Sequence, residues 1–537
     1  MQDYIFDMGY AEFEAKEELK FTLPYAIAKG LFDKRGEDIL IDYTGGDKTY
    51  TGGVLLAYSL AVSKVLKAKI PSARAGLAMP PCAYAVIANY ACAFAGITPI
   101  NLNFTMGQTA AQSCLDTAEI KYVISSEAMR QKISAANPTF PWAENFIDIA
   151  EVVASVKPED ISRGLEKILE DFGIEKFADN NREATLVFTS GSEGAPKGAV
   201  LTGRNIVANC LQTRLSNVFK PGDILVANLP VFHSFGLLFG VWALAINGVK
   251  TLMLASPIDI KANIRAIRKY RPQVLLGSPT FFRAYIRHAA KEDLQCLRMA
   301  IAGAEKTPEG FEELWNSTFN PGSYKEGYGL TETSPVAGVN LPAADYGWYS
   351  TGARKGSIGK LFVGMRARVL DPATLEPVEF GKQGLLSLQG ANVFAGYLNN
   401  PEATQNALKD GWLITGDLSR LDADGFVYVD GRLSRFSKIG GEMVPHATVE
   451  SALSRALGLD KSEVPLIAVS STLDEGKGEA LVLLTTIDIE HRQVNEALKS
   501  EGISNLWTPK HIVKVDKIPL LASGKLNLKE LSRMAKQ

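Results

Sequence analysis

The chain holds 537 residues, too many for one hydrophobic core, so two or more domains are expected. Hydrophobic content of 46% and charged content of 22% are ordinary for a globular protein. The formal net charge of −2 supplies no overall field for a polyanion, so no nucleic-acid partner is expected.

The opening stretch 1–19 is acidic and lacks the basic-then-apolar pattern of a secretion signal, which makes the cytoplasm the expected compartment. Cys82, Cys92, Cys114, Cys210 and Cys296 form no Cys-x-x-Cys pair and stand among apolar residues. They read as buried free thiols in a reducing compartment rather than as disulfides or zinc ligands. Residues 75–115 carry no Asp, Glu, Lys or Arg, and hydropathy alone would allow a membrane span there. Pro80-Pro81, Gly96 and Pro99 break the run into a strand at 75–79, a buried helix at 82–95 and a strand near 97–101. That is a βαβ unit of a doubly wound sheet. Residues 116–126 repeat the helix-then-strand rhythm, and 151–183 read as charged and helical.

The apolar run Leu186-Val187-Phe188 reads as a buried strand. It ends in Thr189, Ser190, Gly191, Ser192, Glu193 and Gly194, followed by Pro196, Lys197 and Gly198. Glycines let backbone amides approach phosphate oxygens, hydroxyls donate, and the lysine adds charge. The common nucleotide P-loop does not fit, because Pro196 stands at its second glycine. An ordinary polar loop after a strand is the alternative. A helix at 205–215 and a strand at 224–228 follow, then His233, which in apolar surroundings reads by itself as a structural residue. The run 236–249 is almost wholly apolar and reads as a core helix beside an apolar tunnel, with peripheral lipid contact as the alternative. Arg265, Arg268, Lys269 and Arg271 read as a solvated helix face. A strand at 273–277, a helix at 279–289 and a strand at 299–304 come next; the last closes in Gly303-Ala304-Glu305.

The stretch Glu326-Gly327-Tyr328-Gly329-Leu330-Thr331-Glu332-Thr333 does not fit Gly-x-Gly-x-x-Gly, because Glu332 stands at the last glycine. Residues 384–396 alternate like a strand and end in the turn Gly396-Tyr397. Asp417 closes Thr415-Gly416-Asp417; a carboxylate at a strand end suits ribose hydroxyls, and a turn aspartate is the alternative. Asp430–Gly441 reads as a domain boundary. Beyond it, 437–537 read as a small α+β domain with strands near 464–470, 479–486 and 511–515 and a helix at 492–500. Lys525 follows Gly524 near the end.

The string Thr189–Gly198 resembles the phosphate loop of the adenylate-forming superfamily, which includes acyl-CoA synthetases, luciferases and peptide-synthetase adenylation domains. Tyr328-Gly329-Leu330-Thr331-Glu332, Thr415-Gly416-Asp417, Arg432 and the Pro519–Lys525 ending match further motifs of that superfamily in its order. Ser192-Glu193 and Gly441-Glu442-Met443-Val444 look like the acyl-acyl carrier protein synthetase branch, related to the synthetase half of bifunctional 2-acylglycerophosphoethanolamine acyltransferases. The resemblance implies an α/β fold with a large domain, 1–431, of doubly wound sheets and a small barrel-like part. It further implies a hinge at 432–436 and a small mobile α+β domain at 437–537. Ser434 stands where the family hinge often has Asp or Lys, which leaves the pivot residue open.

By the same resemblance, Thr189, Ser190 and Lys197 hold the β,γ-phosphates of ATP within a loop that includes Gly191, Ser192 and Gly194. Thr331 takes the α-phosphate and Glu332 holds Mg²⁺. Tyr328 flanks adenine, with Glu326, Gly327 and Gly329 beside it among the nucleotide-binding residues; Gly303, Ala304 and Glu305 form one side of the adenine and acyl pocket, and His233 lines the acyl site. Asp417 and Arg432 take the ribose, and Lys525 bridges carboxylate and α-phosphate. The implied activity converts a fatty acid and ATP to acyl-AMP and pyrophosphate, then passes the acyl group to acyl carrier protein, with medium- or long-chain acyl-CoA synthesis as the alternative. The seven Lys or Arg against two Asp or Glu in 509–537 suit an acidic carrier. Peripheral contact at the inner membrane face fits the same relatives. A lysophospholipid acyltransferase needs His-x-x-x-x-Asp; both such strings, His288 to Asp293 and His511 to Asp516, overlap synthetase elements. A non-enzymatic nucleotide sensor would need neither Lys525 nor Glu332.

Overall fold

The structure is a computed structural model that describes residues 4–189, 196–439, 442–459, 462, 464–474, 478–520 and 526–536. Its described residues fall into two compact units, one of 4–189, 196–415 and 419–429 and the other of 416–418 and the chain from 430 onward.

The larger unit is built on an eight-stranded sheet. Asp38–Asp42, Lys250–Met253, Ile224–Ala227, Val274–Gly277, Met299–Ala302 and Tyr324–Gly329 lie side by side and parallel. Lys48–Thr51 and Val336–Val339 close the two edges antiparallel. The central strands Val274–Gly277 and Met299–Ala302 are buried at every position. Their unbroken apolar runs answer to burial on both faces. A second, four-stranded sheet runs Thr98–Asn101, Arg74–Leu77, Tyr122–Ser125, Asn145–Asp148, all parallel. Its crossover helix, Ala83–Ala95, is nearly all buried and stops at Gly96, which adopts the left-handed φ of +74°. At 13 residues this helix is about 20 Å long, short of a bilayer core of about 30 Å. Among the described residues no helix is long and apolar enough to cross a membrane.

Three details differ from the expectations. The charged stretch 151–183 is helical only at Ile149–Ser155 and Leu165–Phe172, because Pro158 and Gly164, at φ +90°, interrupt it. The run 236–249 is buried but not a uniform α-helix: a π turn, Leu238–Trp242, lies between Ser234–Leu237 and Ala243–Ile246. The alternating stretch 384–396 is not one strand. Gln383–Gly390 belongs to a six-stranded sheet with Met365–Leu370 and Trp412–Leu421, the part expected to be barrel-like, while Gly396–Tyr397 pairs elsewhere. Between them, buried Asn392 donates to the Thr333 carbonyl at 2.8 Å and draws the chain out of the first sheet.

The smaller unit holds a five-stranded sheet in the order Glu442–Pro445, Phe436–Ile439, Gly478–Thr485, Ile467–Asp474, with His511–Lys514 parallel to Gly478–Thr485. Alternation sets its two faces. Ile467 and Val469 pack under the helices His446–Ala456 and His491–Ser500, and Ala468 faces the helix Leu528–Ala535.

Candidate active site

Glu183–Thr189 and Lys197–Thr202 form an antiparallel hairpin in which Thr189 faces Lys197. Thr189 Oγ1 lies 3.4 Å from the Lys197 carbonyl. Ser190, Gly191, Ser192 and Gly194, the expected phosphate-loop residues, lie outside the described residues, as does Lys525.

Gly396–Tyr397 is the third strand of this sheet, with Tyr397 opposite Ala199. The pairing brings the Tyr397 ring 5.2 Å from the Lys197 ammonium. The Tyr397 hydroxyl donates to Glu332 Oε1 at 2.6 Å. The Phe394 amide donates to the Glu332 carbonyl at 2.9 Å, so one short segment holds Glu332 at both ends. Glu332 itself rides on the turn Thr331–Thr333 after the strand Tyr324–Gly329. Gly329 is required there, because a Cβ would stand 2.0 Å from the Pro335 carbonyl oxygen.

The Thr331 hydroxyl lies 3.4 Å from that of buried Ser234. His233, the residue singled out in sequence, is exposed, and its ring contacts Phe232 at a centroid distance of 4.8 Å. Gly303 and Ala304 end the strand Met299–Ala302 with Ala304 in the left-handed region at φ +67°, and the Phe235 ring approaches Gly303. The Glu305 carboxylate accepts from Thr280 Oγ1 at 2.7 Å and stays exposed. Glu326 pairs in register with Ala302, and burial pushes its carboxyl above the usual carboxylate range. Gly327 and Tyr328 continue that strand, with Tyr328 half-buried against the main core.

In the smaller unit Asp417 is buried at 4% exposure, and Arg432 Nε lies 2.9 Å from its Oδ1. Arg432 precedes the single turn Leu433–Arg435. Arg435 donates to the Val469 carbonyl at 3.0 Å and pairs with Glu450, which ties that turn to the small sheet.

The side chains suit a nucleotide. The cation of Lys197 follows a hydroxyl- and glycine-rich stretch in the sequence, and the carboxylate of Glu332 is held nearby through a shared tyrosine. Among the described residues no group of three or more His, Cys, Asp or Glu makes a protein-only metal cage. One carboxylate, with phosphate oxygens and water completing the shell, is what Mg²⁺ ordinarily uses.

A family model described as AMP-binding enzyme matches residues 32–398. The chain belongs to the AMP-binding enzyme family. It is 29% identical to 4-coumarate--CoA ligase-like 9 of Arabidopsis thaliana over 66% of its length and 62% of that protein. It is 30% identical to a long-chain-fatty-acid--CoA ligase of Yersinia pestis over 66% of its length and 61% of that protein. These matches thus span less than two thirds of the relatives' own length. A feruloyl-CoA synthase of Amycolatopsis is 27% identical over 83% of this chain and 85% of that protein. In fold, ATP-bound MatB from Rhodopseudomonas palustris aligns with a TM-score of 0.77 at 24% identity, covering 96% of this chain and 99% of that one. The o-succinylbenzoate CoA synthetase of Bacillus subtilis bound to ATP and magnesium also gives 0.77, at 23% identity over 94% and 98% of the two chains.

Sequence inspection missed Tyr397 and Ser234. Ser234 adjoins the flagged histidine, and Tyr397 stood in view as half of a Gly-Tyr turn, but nothing local says which residue either would meet.

Proposed function

We propose that the protein is an ATP-dependent acid–thiol ligase that forms an acyl-adenylate and then a thioester. The observation that carries this reading is the convergence of Lys197 and Glu332 on the ring and hydroxyl of Tyr397, inside the segment that matches the family. A carboxylate oxygen of the acid attacks the α-phosphorus of ATP, and pyrophosphate leaves. A thiol sulfur then attacks the acyl carbon and loses its proton, and AMP leaves. The protein's part is positioning and charge neutralisation. Lys197 and Thr189, with Ser190, hold the terminal phosphates, and Thr331 holds the α-phosphate. Glu332 holds Mg²⁺, which neutralises phosphate charge. Tyr328 flanks adenine, and Asp417 with Arg432 holds ribose. Lys525, carried by the small unit beyond a hinge at 432–436, joins the carboxylate to the α-phosphate.

The acid is a fatty or an aromatic carboxylic acid, and the thiol is CoA, by the names of the relatives. Transfer to acyl carrier protein is the second reading, favoured by the basic residues of 509–537. That charge is smaller in the fold than in the sequence. Lys510 and Lys514 pair with Asp474 and Asp488, and Arg533 pairs with Glu530, so an acidic carrier would meet Lys517, Lys529 and Lys536. Mass spectrometry of products from fatty acid, an aromatic acid, ATP, Mg²⁺, CoA and carrier protein offered together tests both readings. Acyl-CoA is expected. Acylated carrier protein as the sole thioester would replace CoA as acceptor, and no thioester with either thiol would refute the ligase reading.

A further inference from the structure

We propose that Tyr397 is a positioning residue that keeps the phosphate-binding lysine and the metal-binding carboxylate apart and each available. The inference rests on the roles proposed above for Lys197 and Glu332. Those two side chains carry opposite charge and approach the same ring from the strand start at Lys197 and the turn at Thr331–Thr333. Left to themselves, an ammonium and a carboxylate in a half-buried site would pair, and each would then be lost to ATP or Mg²⁺. Among the described residues no ion pair joins them. The Tyr397 hydroxyl instead donates to Glu332 Oε1 at 2.6 Å, and the Lys197 ammonium sits 5.2 Å from the centre of the ring. A neutral donor fixes the carboxylate without cancelling its charge, and a ring attracts the ammonium without occupying its three hydrogens.

Tyr397 is itself firmly placed. Its amide donates to Thr404 Oγ1 at 2.9 Å, and that hydroxyl is anchored on the Asn400 carbonyl at 2.8 Å. The Leu398 amide donates to the Gly198 carbonyl at 2.8 Å, and the Phe394 ring meets the tyrosine edge-on at 4.9 Å. Gly396 takes φ +134° with the Thr404 side chain where a Cβ would go, so the backbone turns without a choice of rotamer to spoil it. A ring held on this many sides reproduces one distance between cation and carboxylate, which is what preorganisation requires.

The test is titration of the full chain with ATP, with MgCl₂ and with EDTA, on wild type, Tyr397→Phe, Tyr397→Leu, Glu332→Gln and the double variant Glu332→Gln/Tyr397→Phe, with melting temperatures alongside. Tyr397→Phe is expected to weaken Mg²⁺-dependent ATP binding by roughly tenfold, the value of a hydrogen bond to a charged group, and to leave binding in EDTA unchanged. Tyr397→Leu is expected to weaken binding in both conditions, because Lys197 then pairs with Glu332. The double variant is expected to be no worse than Glu332→Gln alone, since the hydroxyl acts through the carboxylate. Unchanged Mg²⁺ dependence in a folded Tyr397→Phe, or additive losses in the double variant, would overturn the positioning role while leaving the ligase reading intact. Unchanged Mg²⁺ dependence in Glu332→Gln would overturn both the metal role of Glu332 and the proposal built on it.

Discussion

Asp417, the residue proposed to hold ribose, is a single buried carboxylate. The carboxylate is 4% exposed, and the nearby Arg432 guanidinium, half-exposed, offsets the cost of keeping it charged. If it receives the ribose hydroxyls, Asp417→Asn should raise the KM for ATP by roughly 10- to 100-fold, the value of charged hydrogen bonds, with a smaller effect on kcat. Steady-state kinetics at saturating acid measures it, and an unchanged KM would move ribose binding elsewhere. Asp417, Glu332 and Lys197 stand out in the sequence as candidates because each stands in a short string of glycine, hydroxyl and charge that a core strand would not carry. Tyr397 was not legible. It meets Glu332 only because Gly396–Tyr397 pairs with Lys197–Thr202, a strand almost two hundred positions earlier, and no local pattern encodes that register. His233 drew notice as a lone histidine among apolar residues; the hydroxyl of its neighbour Ser234, which no local pattern marks, lies beside Thr331.

Elements were legible where burial and period agree. The parallel strands and the helix Ala83–Ala95 follow from unbroken apolar runs, whereas the π turn Leu238–Trp242 adds a residue to a turn without changing polarity, so hydropathy cannot register it. The turn between Tyr324–Gly329 and Thr331–Thr333 is the element whose shape the proposed chemistry depends on most. A Cβ at Gly329 would collide with the Pro335 carbonyl oxygen at 2.0 Å and push Thr331 and Glu332 out of place. Gly329→Ala should therefore cost about 1–3 kcal/mol of stability, as overpacking does, and lose adenylation beyond what the stability change explains. Gly36→Ala, where a Cβ would meet nothing within 4 Å, is the matched control and should shift stability by less than about 0.5 kcal/mol. Chemical denaturation with an activity assay on both variants reads this out; full activity in Gly329→Ala would show that the turn tolerates displacement.

Across the whole molecule the two units carry different liabilities. In the smaller one, His446 is buried with its Nε2 2.7 Å from Ser437 Oγ. Burial, and then the positive charge of Arg435, push its pKa down to about 3. The ring is neutral when folded, so below its ordinary value of about 6.5 the unfolded chain gains a proton that the folded unit refuses. Its stabilisation is complete above about pH 6.5 and is lost as pH falls toward about 3, amounting to roughly 2 kcal/mol by pH 5. Hydrogen exchange of the strand Ile467–Asp474 at pH 7 and pH 5 should show that loss, and His446→Gln should flatten it; an equal pH slope in the variant would assign acid sensitivity to other groups. The larger unit carries the family match and most of the proposed chemistry, and that chemistry has one direct signature. Reversal of acyl-adenylate formation moves labelled pyrophosphate into ATP only when the acid substrate is present. Acid-dependent ATP–pyrophosphate exchange, measured with fatty and aromatic acids and no thiol, is the expected result, and it should vanish when Mg²⁺ is chelated. Exchange independent of any acid, or thioester formation that releases ADP and phosphate in place of AMP and pyrophosphate, would contradict an adenylate-forming ligase.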